Sequence, residues 1–151
     1  MYVVSKEEKV AILKRTVEEF LPFNKLLKVK YVSADPVKLS VENRPELVGN
    51  ALRQILHGGV IATLLDVAGG MAIFNHVLET TEFESQADIP KKFGRSGTID
   101  LRVDYIRPGK GQEFFATVQI IRQGNRVSVT RMELHNEEQT LIALGTGTYV
   151  V

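Results

Sequence analysis

An α+β fold is predicted, with one long buried helix and roughly six antiparallel strands around it. Two patterns predict it. Residues 57–78 are apolar at nearly every position, over a length that suits a helix wrapped by the rest of the fold. From residue 96 onward the pattern changes to period two and keeps it to the C-terminus. Helical and alternating segments thus occupy different parts of the chain, as in α+β domains.

Taken in order, Ser5 and Glu8 have capping-box spacing, and Val10, Leu13, Val17, Phe20 and Leu21 recur at helical intervals. Residues 5–21 therefore read as an amphipathic helix that ends near Pro22. Leu27 to Val32 and Val37 to Val41 alternate, and the Asp35-Pro36 pair between them signals a turn, so this region reads as a hairpin. Residues 43–54, NRPELVGNALRQ, read as a loop, and the polar stretch 79–93 as another. The segments SGTIDLRVDYIRP, QEFFATVQIIRQG, NRVSVTRMELHNEE and QTLIALGTGTYV read as four strands. Turns at Pro108-Gly109, Gly124-Asn125 and Asn136-Glu137-Glu138 separate them, which favours an antiparallel meander. No helix follows GTGTYV, so its glycines belong to a last strand and not to a phosphate loop.

Composition narrows the function classes. The chain has 151 residues, 44% of them hydrophobic, which suits a single domain spanning 1–151 with one sizeable core. A formal net charge of +1 gives no general attraction to nucleic acid or to an acidic membrane. There is no cysteine, so disulfides, thiolate metal sites and cysteine nucleophiles are all excluded. His76 and His135 have no partner at metal-ligand spacing, and neither a metal nor a cofactor is expected. Asp66, His57, Asn75 and His76 interrupt the apolar stretch 55–78, so no membrane span is expected. The N-terminus shows no apolar h-region before a small-residue cleavage site, and the expected location is the cytoplasm.

The candidate chemistry lies in that central helix. At its start stand His57, Gly58 and Gly59, where N–H groups lack intrahelical partners and the helix dipole adds partial positive charge. Such a place polarises a carbonyl oxygen or binds an anion, although a tight turn into the helix would use the same glycines. Asp66 lies eight residues beyond Gly58, roughly 12 Å along the axis. A carboxylate that far away cannot serve a carbonyl held at its own helix start, whereas the Asp66 of a second protomer can. Gly59, Thr63, Asp66 and Gly70 also form a small, polar stripe on one helix face, against which a ligand or another backbone can lie. A structural Asp bonded to backbone amides is the alternative.

LHGGVIATLLDVAGGMA, with its His-Gly-Gly and an Asp seven residues after the second Gly, resembles the helix signature of hotdog-fold acyl-CoA thioesterases of the phenylacetate-pathway (PaaI-like) branch. The strand Asp100-x-x-Val103-x-Tyr105-x-Arg107-Pro108 is similar to the family's as well, and RPELVGNALRQILHGG resembles a bacterial subgroup of uncharacterised or long-chain acyl-CoA thioesterases. The resemblance covers nearly the whole chain. It implies a hotdog fold, a six-stranded antiparallel sheet wrapped around the helix, and an acyl-CoA substrate. It also implies a homodimer, or a dimer of dimers, whose active sites are shared between protomers. Asp66 would then be general base or nucleophile, the Gly58 N–H would polarise the thioester carbonyl, and His57 would shape the helix start and orient the substrate. The family carries an Asn six residues before this His, where the present chain has Ala51. Asn50, one residue earlier, is the candidate for that role through a bulge. Thr98 occupies the place of a family Ser or Thr opposite the Asp.

Beside these, Gly59 and Thr63 are candidate substrate contacts, and Arg107, Arg122 and Arg126 are candidates for the phosphates of coenzyme A, with solvated turns as the alternative. Val60, Leu64, Val67, Met71 and Phe74 are expected to line an apolar acyl tunnel, which favours medium or long chains. A non-catalytic acyl-CoA-binding module is the alternative function, but such a sensor would carry an output domain for which 151 residues leave no room. A dehydratase would need a histidine partner for Asp66, and none is in helical reach.

Overall fold

A computed structural model describes residues 1–151. Helix α1 (Lys6–Arg15) starts with both halves of the capping box formed: Ser5 Oγ accepts from the Glu8 N–H at 3.2 Å, and the Glu8 carboxylate accepts from the Ser5 N–H at 3.0 Å. Helical structure does not stop at Pro22. The backbone loosens into a π-helical turn over Thr16–Phe20, and Pro22 then begins a second helix, α2 (Pro22–Leu27). Proline suits that position, because the first N–H of a helix has no intrahelical partner to lose. Lys28 closes α2 in the left-handed region (φ 58°), so the strand expected from Leu27 begins only at Lys30.

Strands β1 (Lys30–Ala34) and β2 (Val37–Glu42) form the expected hairpin. The loop expected over 43–54 is instead a 3-10 turn, Pro45–Leu47, followed by a small hairpin of β3 (Val48–Asn50) and β4 (Ile55–Leu56). Strands of three and two residues are too short to show alternation. Helix α3 (Gly58–Thr80) follows at the expected place, capped by His57. The stretch expected as irregular up to residue 93 contains a six-residue helix, α4 (Asp88–Phe93), again too short for a periodic signal.

The remaining strands are β5 (Gly97–Tyr105), β6 (Glu113–Gln123), β7 (Val127–Asn136) and β8 (Leu141–Val150). Together with β1 and β2 they make one six-stranded antiparallel sheet in the order β1-β2-β6-β7-β8-β5. Only β6, β7 and β8 form the expected meander; β5 pairs with β8 and not with β6. The connection over 106–112 explains this. It is pinned across the end of the sheet, where Leu56 N–H donates to Gly109 C=O, Asn43 N–H to Gln112 C=O and Asn136 Nδ2 to Lys110 C=O. Pro108-Gly109 is thus a turn, but not a hairpin turn.

Helix α3 lies on one face of the sheet. Ile61, Leu64, Leu65 and Ala68 join Leu39, Val41, Phe114, Met132, Leu134 and Ile142 in one core. By length and composition α3 could cross a membrane, yet most of its apolar surface is packed inside this fold. The N-terminal helix is tied down by buried Lys9, which donates to Asp35 at 3.2 Å and to Glu79 near the end of α3. The opposite face of α3 stays partly open along Gly59, Ala62, Thr63, Asp66, Val67 and Gly70. The stripe read from the sequence is therefore the side that the sheet leaves uncovered.

Candidate active site

Asp66 sits on this open side, held by the edge strand and the last strand. Thr98 Oγ1 on β5 donates to Asp66 Oδ1 at 2.8 Å, which leaves Oδ2 without a protein donor. From β8, the buried Tyr149 hydroxyl donates to the Asp66 backbone carbonyl at 3.0 Å. Thr98 and Tyr149 are register partners, so the β5·β8 pairing places both beside the carboxylate. Burial first, and then the Asp66 carboxylate, push the Tyr149 phenol well above its ordinary range. Tyr149 stays neutral and acts as a donor. Around Asp66 lies a pocket of about 170 Å³ whose other walls are mostly apolar, among them Leu21, Val67, Met71, Ile73 and Phe93.

The start of α3 forms a second cavity. His57 Nδ1 accepts from the Gly59 N–H at 2.8 Å, and Tyr105 of β5 donates from its hydroxyl to the Gly58 C=O at 2.9 Å. The Gly58 N–H donates to no protein group. A pocket of about 330 Å³ opens beside it, lined by Leu56, Gly58, Tyr105, Ile106 and Arg107 among others. Each glycine fits a neighbour: a Cβ at Gly58 would lie 3.3 Å from the Tyr105 ring, and one at Gly59 only 2.9 Å from His57 Nδ1. One chain therefore holds a carboxylate in an apolar pocket and, roughly 12 Å away along the same helix, a free N–H at a helix N-terminus. Strand β5 touches both, through Thr98 and Tyr105.

Residues 53–143 match the family pattern of the thioesterase superfamily. The chain belongs to this superfamily. It is 42% identical to the Escherichia coli protein YigI, named a medium/long-chain acyl-CoA thioesterase, over 99% of this chain and 97% of that one. A thioesterase-superfamily protein of Shewanella oneidensis has a crystal structure 45% identical to it, with a TM-score of 0.89 and 96% of each chain covered. The E. coli PaaI structure shares the fold, with a TM-score of 0.75 at 21% identity over 97% of this chain and 95% of that one. The hotdog fold implied by the sequence resemblance is the fold found.

Within the superfamily frame, the residues singled out from the sequence divide. Asp66 and Thr98 come together, as do His57, Gly58 and Gly59, in the two separate half-sites just described. The Gly59 N–H is committed to His57, and Thr63 Oγ1 donates to the Gly59 C=O at 2.8 Å, so both stabilise the first turns of α3. Asn50 lies beyond a bulge in β3, and its Oδ1 accepts from the Arg53 N–H at 3.1 Å; it shapes the β3–β4 turn and lines neither half-site pocket. Arg107 lines the pocket at the helix start while one of its guanidinium N–H groups donates to Leu141 C=O at 3.0 Å. Arg122 and Arg126 lie by the β6–β7 turn at the Asp66 end of the sheet, outside that pocket. Of the expected tunnel residues, Val67 and Met71 line the Asp66 pocket, whereas Val60 and Leu64 face the sheet as core.

Tyr149 and Gly69 were not singled out from the sequence. A Cβ at Gly69 would lie 2.2 Å from the Tyr149 hydroxyl, so this glycine admits the tyrosine. A Tyr ending an alternating strand gives no sign of that pairing. No three His, Asp or Glu side chains converge anywhere in the fold as a metal site would require.

Proposed function

We propose that this protein hydrolyses acyl-CoA thioesters with medium or long acyl chains, in a site completed by two copies of the chain. The observation that carries the reading is the Asp66 carboxylate, oriented by Thr98 at the mouth of an apolar pocket and out of reach of its own helix start. The name of the E. coli relative, similar over nearly its whole length, supports the substrate class.

The outer edge of β5 has no strand partner, and Ile99, Tyr105 and Ile106 are exposed along it. Unpaired edges of that length favour pairing with another strand. Antiparallel pairing of two β5 copies about a two-fold axis near the middle of the strand brings the Thr98 end of one copy beside the Tyr105 end of its partner. The Asp66 half-site then faces the Gly58 half-site of the partner subunit, which is the juxtaposition the chemistry needs. There Asp66 takes a proton from water, and the water oxygen bonds to the thioester carbonyl carbon. The carbonyl electron pair moves to an oxygen held by the N–H of Gly58 of the partner subunit. The C–S bond then breaks, coenzyme A leaves as thiolate, and Asp66 returns the proton to sulfur.

Asp66→Asn tests the chemistry, because Thr98 can still donate to the amide oxygen while the base is gone. With release of coenzyme A followed by thiol detection, kcat falls by roughly 100-fold or more and the melting temperature holds. Near-wild-type turnover in the folded variant would remove Asp66 from the mechanism.

A further inference from the structure

Phe93 is a shared wall. Its ring borders the Asp66 pocket and also a groove of about 320 Å³ between α1 with its π-helical turn and α4, lined by Ile12, Phe20, Phe74, Ile89 and Pro90 among others. The ring lies 4.6 Å from that of Phe74 and 6.4 Å from that of Phe20, centroid to centroid. We infer that the acyl tail runs from Asp66 past Phe93 into this α1–α4 groove, and that Phe93 sets the chain length the enzyme accepts. This rests on the thioesterase reading above.

Three observations converge on it. The groove and the pocket that holds the carboxylate are separated by one side chain, the Phe93 ring that lines both. Its lining is aliphatic and aromatic, with Arg15, Thr16 and Gln86 as its only polar residues, so the matching occupant is a hydrocarbon tail and not a headgroup. The wall is also built to yield. Between Phe83, whose backbone pairs with Tyr2, and Gly97 at the start of β5, every backbone hydrogen bond stays within the segment: Asp88 to Ser85, Ile89 to Gln86, Gly94 to Pro90, Arg95 to Lys92 and Ser96 to Phe93. Its side-chain bonds are internal too, with Asp88 accepting from Ser85 and Lys91. Helix α4 is therefore held to the body by the apolar side chains of Ile89 and Phe93, and the Phe93 ring can swing without breaking a hydrogen bond to another element.

The absence of cysteine gives a direct test. With Ile12→Cys in an Asp66→Asn background, the thiol in the groove is the chain's only one, and maleimide labelling reads its cover. Palmitoyl-CoA is expected to slow labelling several-fold and butyryl-CoA not at all. In the otherwise wild-type enzyme, Phe93→Trp narrows the passage. The ratio of kcat/KM for palmitoyl-CoA to that for butyryl-CoA then falls by about fourfold for each methylene kept out, the equivalent of its transfer free energy. Phe93→Ala raises the ratio. If palmitoyl-CoA is hydrolysed but leaves Ile12→Cys labelling and both ratios unchanged, the tail takes another route and the inference fails alone. If the wild-type protein hydrolyses neither thioester, the thioesterase reading fails, and this one with it.

Discussion

The paired glycines of α3 allow an experiment in which neighbouring, chemically identical changes have opposite signs. Gly69→Ala and Gly70→Ala each replace a glycine inside a long helix, which on propensity alone stabilises by up to about 1 kcal/mol. At position 70 nothing opposes that gain, since the nearest atom to a new Cβ is a Tyr149 ring carbon at 3.9 Å. At position 69 the Cβ would fall 2.2 Å from the Tyr149 hydroxyl, 2.7 Å from its ring carbon Cζ and 2.9 Å from Thr130 Oγ1. Tyr149 is only 3% exposed and cannot step aside into solvent. Overpacking of this kind costs about 1–3 kcal/mol. Displacing the hydroxyl from the Asp66 carbonyl costs about 1 kcal/mol more. The net for Gly69→Ala is a loss of roughly 1–3 kcal/mol, or about 3–10 °C in melting temperature at this chain length. Gly70→Ala should melt at or up to a few degrees above wild type.

Thermal unfolding followed by circular dichroism reads both. Turnover adds a second axis, because Tyr149 is the register partner of Thr98, and moving it disturbs the residue that orients the carboxylate. Gly69→Ala should lose kcat as well as stability. Combining it with Tyr149→Phe removes the closest contact and should recover part of the melting temperature. If Gly69→Ala is as stable and as active as Gly70→Ala, Tyr149 does not pack where the fold places it, and the account of how Asp66 is held falls.

Tyr149→Phe should also flatten the alkaline stability profile. The folded state keeps this phenol protonated above the range in which the unfolded chain ionises it, so its contribution is intact below about pH 10 and is lost as pH rises beyond. Urea midpoints at pH 8 and above pH 10 should show a wild-type slope steeper by up to ~1.4 kcal/mol per pH unit. Gly58→Pro should abolish activity while the fold survives, since proline is accepted at the first helical position and His57 is already extended (ψ 133°). Circular dichroism checks the helix. Mixing it with Asp66→Asn under conditions of subunit exchange should restore about a quarter of wild-type activity through heterodimers with one intact site. No recovery after verified exchange refutes the shared site. Replacing both Asp35 and Glu79 by their amides leaves Lys9 buried without a counter-charge and should cost on the order of 3 kcal/mol in urea unfolding, whereas Lys9→Met should cost far less.

The parts of this molecule legible in its sequence are those with a long or a local signal. Helix α3 could be placed because 23 residues carry one pattern, and α1 because its cap is a contact between residues three apart. The Asp66–Thr98 pair was reachable only through family resemblance, because 32 residues and a sheet separate its members. What stayed hidden depends on short elements or on tertiary order. Helices of six residues and strands of two or three span too few positions to show a period. The place of β5 beside β8 follows from where the 106–112 connection is pinned, by partners as distant as Asn43 and Asn136.

The glycines show most clearly how the fold gives residues neighbours that the sequence does not reveal. Read along the chain, Gly58, Gly59 and Gly70 are openings through which a ligand approaches the helix. In the fold, Gly58 makes room for Tyr105 and Gly59 for the imidazole that caps the helix, while Gly69 makes room for Tyr149. Only Gly70 leaves its space to the pocket. Three of the four thus spend their missing side chain on the protein's own residues, and those residues do the positioning. Tyr105 is bonded to the carbonyl of the residue whose N–H is free, and Tyr149 to the carbonyl of the residue whose carboxylate keeps one oxygen without a protein donor. An aromatic hydroxyl from each of two adjacent strands holds one backbone carbonyl at each half-site, and the glycine beneath lets it come close. The β5·β8 register therefore decides which residues of the two strands meet the two half-sites, whose separation is set by α3. A one-residue slip in that register would turn Thr98 and Tyr105 to the other face and disable both half-sites at once.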